Sequence, residues 1–267
     1  MADAAGGILR NPVKDKLARG EVVASMTVRL VRNVEIASIA RTAGFDTLYI
    51  DVEHSSFSLE TTGQICIAAL AVGIAPFVRV PSIRPEHVSR VLDGGALGVI
   101  APHVRSAEEA RAVVRAAKYA PLGERSAAGT LPHLQYRAFP QTEANKALND
   151  ATMVIVQCES AEFLDRADEI MGVDGVDMAL IGTNDLLADW GLTGQYEHPR
   201  VREAYAHVIA AAQPHGKHVG VGGLATRPDL AAAFVRLGAR YVSTGTDLAF
   251  LQAACAAKAK EVRAMGP

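Results

Sequence analysis

The chain has 267 residues, 49% hydrophobic and 21% charged, with 27 Lys plus Arg against 29 Asp plus Glu and a formal net charge of -2. This is an ordinary globular balance, and without a basic stripe a nucleic-acid partner has no electrostatic support. The length suits one large α/β domain, taken as residues 1–267, with a core that needs no staples.

The opening MADAAGGILRNPVKDKL has no long apolar core, so it is not read as a secretory signal. No later apolar run reaches membrane-spanning length, and the expectation is a cytoplasmic protein without membrane contact. EVVASMT (21–27) is the first predicted strand. SMTVRLVRN follows without a glycine, which argues against a dinucleotide-binding turn. VEIASIARTAG reads as a helix closed by glycine, as a C-cap requires. TLYID (47–51) is the second strand; it ends in Asp51, with Glu53 and His54 just beyond.

APFVRV (75–80) carries Arg79, and LGVIAP (97–102) runs into His103. SAEEARAVVRAAKYA opens with the Ser and Glu of a capping box. Residues 119–151 form the one stretch read as irregular, long enough to be functional. MVIVQCE (153–159) supplies Gln157 and Glu159, and MALIG (178–182) leads into Thr183, Asn184 and Asp185. HVGVGG (218–223) and YVSTG (241–245) complete the strands, each followed by a helical pattern. The three cysteines, Cys66, Cys158 and Cys255, lack the spacing of a disulfide framework or a thiolate zinc site and read as small hydrophobes.

Eight strands that alternate with helices predict a parallel sheet, and at this length a closed (β/α)8 TIM barrel. An open doubly wound sheet is the structural rival. In a barrel the chemistry lies at the C-terminal ends of the strands, so the polar residues above gather on one rim. Glu159 and Asp185, on adjacent strand ends, suit a hard divalent cation; the alternative is a helix cap and an arginine partner. The turn Gly182-Thr183-Asn184-Asp185 offers backbone N–H groups to an anion. Arg79 is placed to hold the oxyanion of an enolate, or else lies on the surface. His54 is a candidate acid/base, with Asp51 fixing its tautomer, against a reading as a capping histidine. No lysine stands at a strand top, since Lys217 precedes the seventh strand and Lys118 is late in a helix. Imine chemistry is therefore disfavoured.

The segments GFDTLYIDVEH, FVRVPS, VLDGGALGVIAPHVRSAEEA, APLGERS, VQCES, IGTNDL and GARYVSTGTD, in order over roughly residues 20–250, closely resemble the HpcH/HpaI aldolase family. The resemblance implies a barrel of the phosphoenolpyruvate/pyruvate type and a class II pyruvate aldolase, dependent on Mg2+, Mn2+ or Co2+. Its substrates would be pyruvate plus an aldehyde. It also implies a hexamer, a trimer of dimers, with the C-terminal helix exchanged between subunits. By position, Glu159 and Asp185 resemble the metal ligands, and Gln157 a residue near the bound pyruvate. Arg79 resembles the oxyanion group, and His54 with Asp51 an acid/base dyad. Asp93 resembles an aspartate that reaches a neighbouring site, and the backbone from Gly182 to Asp185 would hold the pyruvate carboxylate. The family turn is often Gly-Pro-x-Asp, where this chain has Gly182 and Thr183. A tryptophan-containing segment is replaced by SMTVRLVRN, whose Arg29 either meets an anionic acceptor or lies on the surface. The rivals are a CoA-thioester lyase of the citryl or malyl type, a decarboxylase, and a non-catalytic barrel that binds a keto acid.

Overall fold

A computed structural model describes residues 7–266; the first six residues and Pro267 lie outside it, and with them the start of the segment read as no secretory signal. In chain order the elements are α1 (Pro12–Ala18), β1 (Val23–Val28), α2 (Glu35–Ala43), β2 (Thr47–Asp51), α3 (Leu59–Val72), β3 (Ala75–Arg79), α4 (Pro85–Asp93), β4 (Gly98–Ala101), α5 (Ala107–Ala117), α6 (Gln141–Ala151), β5 (Met153–Cys158), α7 (Ala161–Asp165), α8 (Ala167–Met171), β6 (Met178–Gly182), α9 (Thr183–Asp189), α10 (Pro199–Ala212), β7 (His218–Gly222), α11 (Pro228–Leu237), β8 (Tyr241–Thr246) and α12 (Asp247–Arg263). The eight strands pair in sequence order, all parallel, and β8 closes onto β1. The closed barrel is the architecture expected from the sequence; the open sheet is excluded.

Side chains alternate across each strand, so one parity faces the barrel interior and the other faces the helices. Leu48 and Ile50 of β2, Val78 of β3, Val154 and Val156 of β5 and Ile181 of β6 pack outward against the helices in the larger core. Tyr49, Phe77, Met153, Ile155, Met178, Leu180 and Tyr241 fill the interior as a second, smaller core. Gly98 of β4 belongs to this filling: a Cβ there would stand 2.7 Å from the Phe77 ring. With the lower barrel packed solid, only the upper end can hold a ligand.

The helix ends follow local chemistry. Ser106 accepts the Glu109 N–H at 3.2 Å, and Glu109 accepts the Arg105 N–H at 2.6 Å, which caps α5. Gly44, at φ 95°, closes α2 in the left-handed conformation. The segment 119–151 is not irregular throughout. Its last eleven residues form α6, with Ala144, Leu148, Asn149 and Ala151 buried, and a short 3-10 turn covers Pro132–Leu134. The apolar side of α6 is mostly alanine, too weak a periodicity to stand out among polar neighbours.

Candidate active site

The interior parity that puts Tyr49 and Phe77 in the core puts Asp51 and Arg79, two residues later, in the layer above; the two are register partners. The same count along β5 brings Gln157 and then Glu159 inward after Ile155, and along β6 it brings Gly182 after Leu180. On β1 it brings Thr27 and then Arg29. A cavity of about 220 Å³ opens here, lined by Thr27, Arg29, Arg79, Gln157, Asn184 and Asp185, among others.

Asp51, fully buried, accepts Nε of Arg79 at 2.9 Å on one oxygen and Nη2 at 2.7 Å on the other. Arg29 Nε adds a third contact at 2.5 Å. Burial works against ionised Asp51, but the hydrogen bonds and charges of Arg79 and Arg29 outweigh it and hold its pKa below the usual range. Arg79 Nη1 lies 2.8 Å from Glu53 Oε2, a close ion pair whose N–H does not point at the oxygen.

Glu159 is 6% exposed. Its Oε2 accepts the backbone N–H of His103 at 3.0 Å. Burial raises its pKa, the carboxylate of Asp185 raises it further, and the His103 N–H opposes both. Two carboxylates brought together, one buried, are a donor set that a divalent cation would relieve of mutual repulsion. Among the described residues no three His, Cys, Asp or Glu side chains form such a cluster, so other positions would fall to substrate and water. The amide oxygen of Gln157 is buried with no hydrogen-bond partner and belongs to the cavity wall, where a ligand donor or a water would satisfy it.

The structure places the other expected residues as follows. His54 stands on the rim with its side chain 55% exposed, and its ring comes 3.7 Å from Glu53. The expected Asp51–His54 ring contact is corrected: Asp51 accepts the backbone N–H of His54, at 3.2 Å, because its carboxylate is turned inward to the two arginines. Thr183 turns its hydroxyl under the turn, donating to the Gly222 carbonyl at 2.7 Å and meeting Tyr205 at 2.9 Å, so only its backbone faces the site. Asn184 lines the cavity and accepts the Tyr196 hydroxyl at 2.7 Å. Asp93 does not join this site. It ends α4, ahead of β4, and pairs with Arg125 at 2.6 Å.

Three further groups belong to the site. Glu53, with its side chain 9% exposed, stands against Arg79, although its position in the sequence marks it only as one of several titratable residues. His103, in a left-handed conformation at φ 56°, sets its ring 2.8 Å from Glu53 and 3.2 Å from Glu159. Asp247 accepts four backbone N–H groups, those of Arg29, Leu30, Val31 and Leu248, and thereby fixes the loop after β1. His103 was visible as the residue just past a strand end; three of the four contacts of Asp247 span more than 210 positions and leave no local signal.

The family model described as HpcH/HpaI aldolase/citrate lyase matches residues 29–254. The chain is 41% identical to the 4-hydroxy-4-methyl-2-oxoglutarate aldolase of Hapsidospora irregularis, over 80% of each chain. It is 34% identical to the 2-keto-3-deoxy-L-rhamnonate aldolase of Escherichia coli, over 90% of this chain and 88% of the other. The crystal structure of an HpcH/HpaI aldolase from Desulfitobacterium hafniense superposes with a TM-score of 0.88 at 34% identity, covering 96% of this chain and 97% of that one. The chain belongs to the HpcH/HpaI aldolase/citrate lyase family.

Proposed function

We propose that this protein is a carbon–carbon lyase, a divalent-metal-dependent pyruvate aldolase. It cleaves a 4-hydroxy-2-oxo acid to pyruvate and a carbonyl compound, and joins them in reverse. The observation that carries the reading is that Asp185 and Arg79 line one small cavity above a filled barrel, with the carboxylate of Glu159 close enough to Asp185 to feel its charge and packed against Gly182 of the cavity wall. The two relatives named as aldolases support it. Glu159 and Asp185 are the residues that would hold Mg2+, Mn2+ or Co2+, and the cation, when bound, supplies positive charge for an enolate.

The protein's own groups do the rest. Arg79, held rigid by Asp51 and Glu53, presents fixed positive charge to the oxygen that becomes anionic as the C3–C4 bond breaks. Gln157 offers its unpaired amide oxygen as an acceptor to the hydroxyl of the substrate or to a water beside it, and the backbone from Gly182 to Asp185 faces the substrate carboxylate. His54 takes the 4-hydroxyl proton in cleavage and returns it in synthesis. Asp51 serves it by fixing the turn on which it stands. A cavity of about 220 Å³ is smaller than the roughly 300–1,000 Å³ of larger ligand sites, which favours a short carbonyl acceptor over a CoA thioester.

The assembly is part of the proposal. Leu248, Phe250, Leu251, Val262 and Met265, on and just after α12, are exposed, as expected of a helix exchanged onto a neighbour in a hexamer. Asp93 would then reach the site of an adjacent subunit. Among the described residues no helix is long and apolar enough to cross a membrane.

Deuterium exchange into the pyruvate methyl group, followed by NMR with Mn2+ or Mg2+ and then with a chelator, tests the reading. Exchange that needs metal is the expected result. Absence of exchange in the metal-loaded protein would overturn the aldolase assignment in favour of a CoA-ester lyase or a binding role.

A further inference from the structure

We propose that the side-chain amide of Asn184 is a binding residue for the keto acid, its nitrogen donating to an oxygen of the substrate carboxylate, and that Tyr196 is the positioning residue that turns the amide there. This rests on the aldolase reading, in which the turn from Gly182 to Asp185 faces that carboxylate. It adds to the turn a donor supplied by a side chain.

Asn184 lines the cavity on the β6–β7 wall, beside Asp185, Gly222 and Gly223. Two contacts fix which way its amide lies. Its Oδ1 accepts the Tyr196 hydroxyl at 2.7 Å. Its Nδ2 lies over Gly223, where a Cβ would stand 3.2 Å from Nδ2, 3.3 Å from Cγ and 3.1 Å from the Asn184 backbone nitrogen. Gly223, at φ 76°, also has a left-handed backbone, so conformation and space both call for glycine there. The two ends of a planar amide diverge. The oxygen therefore points to the loop after α9, and the nitrogen lies along the cavity wall.

That nitrogen makes no hydrogen bond among the described residues. The Gly222 carbonyl, its neighbour in the wall, already accepts the Thr183 hydroxyl at 2.7 Å. An amide with its acceptor end tied and its donor end free selects an oxygen acceptor, and a carboxylate takes such a donor more strongly than a neutral oxygen does. Tyr196 is suited to hold it. The side chain packs against the larger core. Its loop is closed by the Leu192 N–H on the Leu187 carbonyl at 2.8 Å and the His198 N–H on the Gln195 carbonyl at 3.0 Å. The next residue, Glu197, pairs with Arg227 at 2.9 Å, which ties the loop to the start of α11. An amide ordered before the substrate arrives spares binding the cost of ordering it.

The test uses the full chain at saturating Mn2+ and follows exchange of the pyruvate methyl protons by NMR, without acceptor, against pyruvate concentration. Calorimetric titration with pyruvate gives a Kd beside the KM. In Asn184→Ala both should rise about tenfold or more while kcat stays within about threefold, the mark of a contact made equally in ground and transition states. Asn184→Asp keeps the shape and the Tyr196 contact but sets one carboxylate against another, and should raise both constants further. Tyr196→Phe should raise them about two- to tenfold and add nothing in the Asn184→Ala background, because it acts only through the amide. A pyruvate KM within about twofold of wild type in Asn184→Ala would overturn the proposal, as would a fall in kcat with KM unchanged. Additive losses in the double variant would overturn the role of Tyr196. If circular dichroism shows that Asn184→Ala does not fold, the near-isosteric Asn184→Asp and Tyr196→Phe decide. Metal-dependent exchange in the wild type with unchanged constants in the variants sinks the Asn184 assignment alone, and no exchange in the wild type sinks the aldolase reading with it.

Discussion

Gly182 ends β6 where Glu159 leaves β5, and the two are packed so closely that a Cβ on Gly182 would stand 2.8 Å from Glu159 Cγ and 3.0 Å from its Oε1. The backbone there, at φ -84°, is one alanine adopts freely, so the demand for glycine is steric. Gly182→Ala should displace the Glu159 carboxylate and weaken Mn2+ binding by roughly ten- to a hundredfold, with the barrel still folded. Mn2+ titration by electron paramagnetic resonance beside circular dichroism checks this; unchanged affinity would mean that Glu159 is no ligand. The two histidines on this rim have separable roles. His54→Ala should lower kcat by about 10²–10⁴ and leave Mn2+ affinity alone, as loss of an acid/base does. His103→Ala, which removes the ring between Glu53 and Glu159, should instead weaken Mn2+ binding about tenfold. Measuring kcat and Mn2+ affinity on both variants decides it, and an exchange of the two phenotypes would move the acid/base role to His103.

At the scale of elements, the strands were legible because β-branched runs of four to six residues ended in groups that no buried strand would otherwise carry. The predicted 47–51 and 178–182 match β2 and β6, and parity alone carries Asp51, Arg79 and Gln157 to one layer. The segment before β5 was not legible, because its order comes from clamps distant in sequence. Lys118, buried at the end of α5, donates Nζ to the carbonyls of Asn149 at 2.7 Å and Thr152 at 2.5 Å, tying α5 to the end of α6. Burial lowers its pKa to about 8. Between about pH 8 and the ordinary lysine value near 10.4, the unfolded chain therefore binds the proton that the fold has released, and stability from this group rises with pH. Thermal melts of the wild type and Lys118→Met from pH 7.5 to 10 should show the wild type gaining relative to the variant, and a constant difference would refute the shift. The clamp formed by Asp247 is of the same kind. Asp247→Ala strands four backbone N–H groups, two of them in contact with one buried oxygen. It should cost about 3 kcal/mol or more, a fall of roughly 6–12 °C in Tm. A melt within 2 °C of the wild type would show that water replaces the carboxylate.

At the scale of the whole molecule, the barrel and its surrounding helices bury the apolar core, while α12 leaves a set of large apolar residues in solvent. Its only buried residue is Asp247, at the first position, and the rest of its seventeen-residue length extends from the barrel with Leu248, Phe250 and Leu251 exposed. In the proposed assembly a neighbouring copy would cover these side chains, since most helical stability in proteins comes from packing rather than propensity. Leu30, Val34 and Ile39 are exposed around α2, and on a second copy they offer an apolar surface of the same kind. The sequence showed the alanine-rich helix but not its exposure, since an all-round mixture of alanine and charge has no face to read. If α12 docks on a neighbour, light scattering should give a multiple of the 28.2 kDa chain mass, six for the hexamer proposed above. Deleting residues 253–267 should then shift the mass toward that of the monomer while far-ultraviolet circular dichroism keeps the barrel signal, because residues 253–266 are exposed and cover none of the core. Aldolase activity should fall with the assembly if Asp93 completes a neighbour's site. A truncated protein that keeps both its oligomer mass and its activity would show that α12 is an appendage and that each barrel works alone.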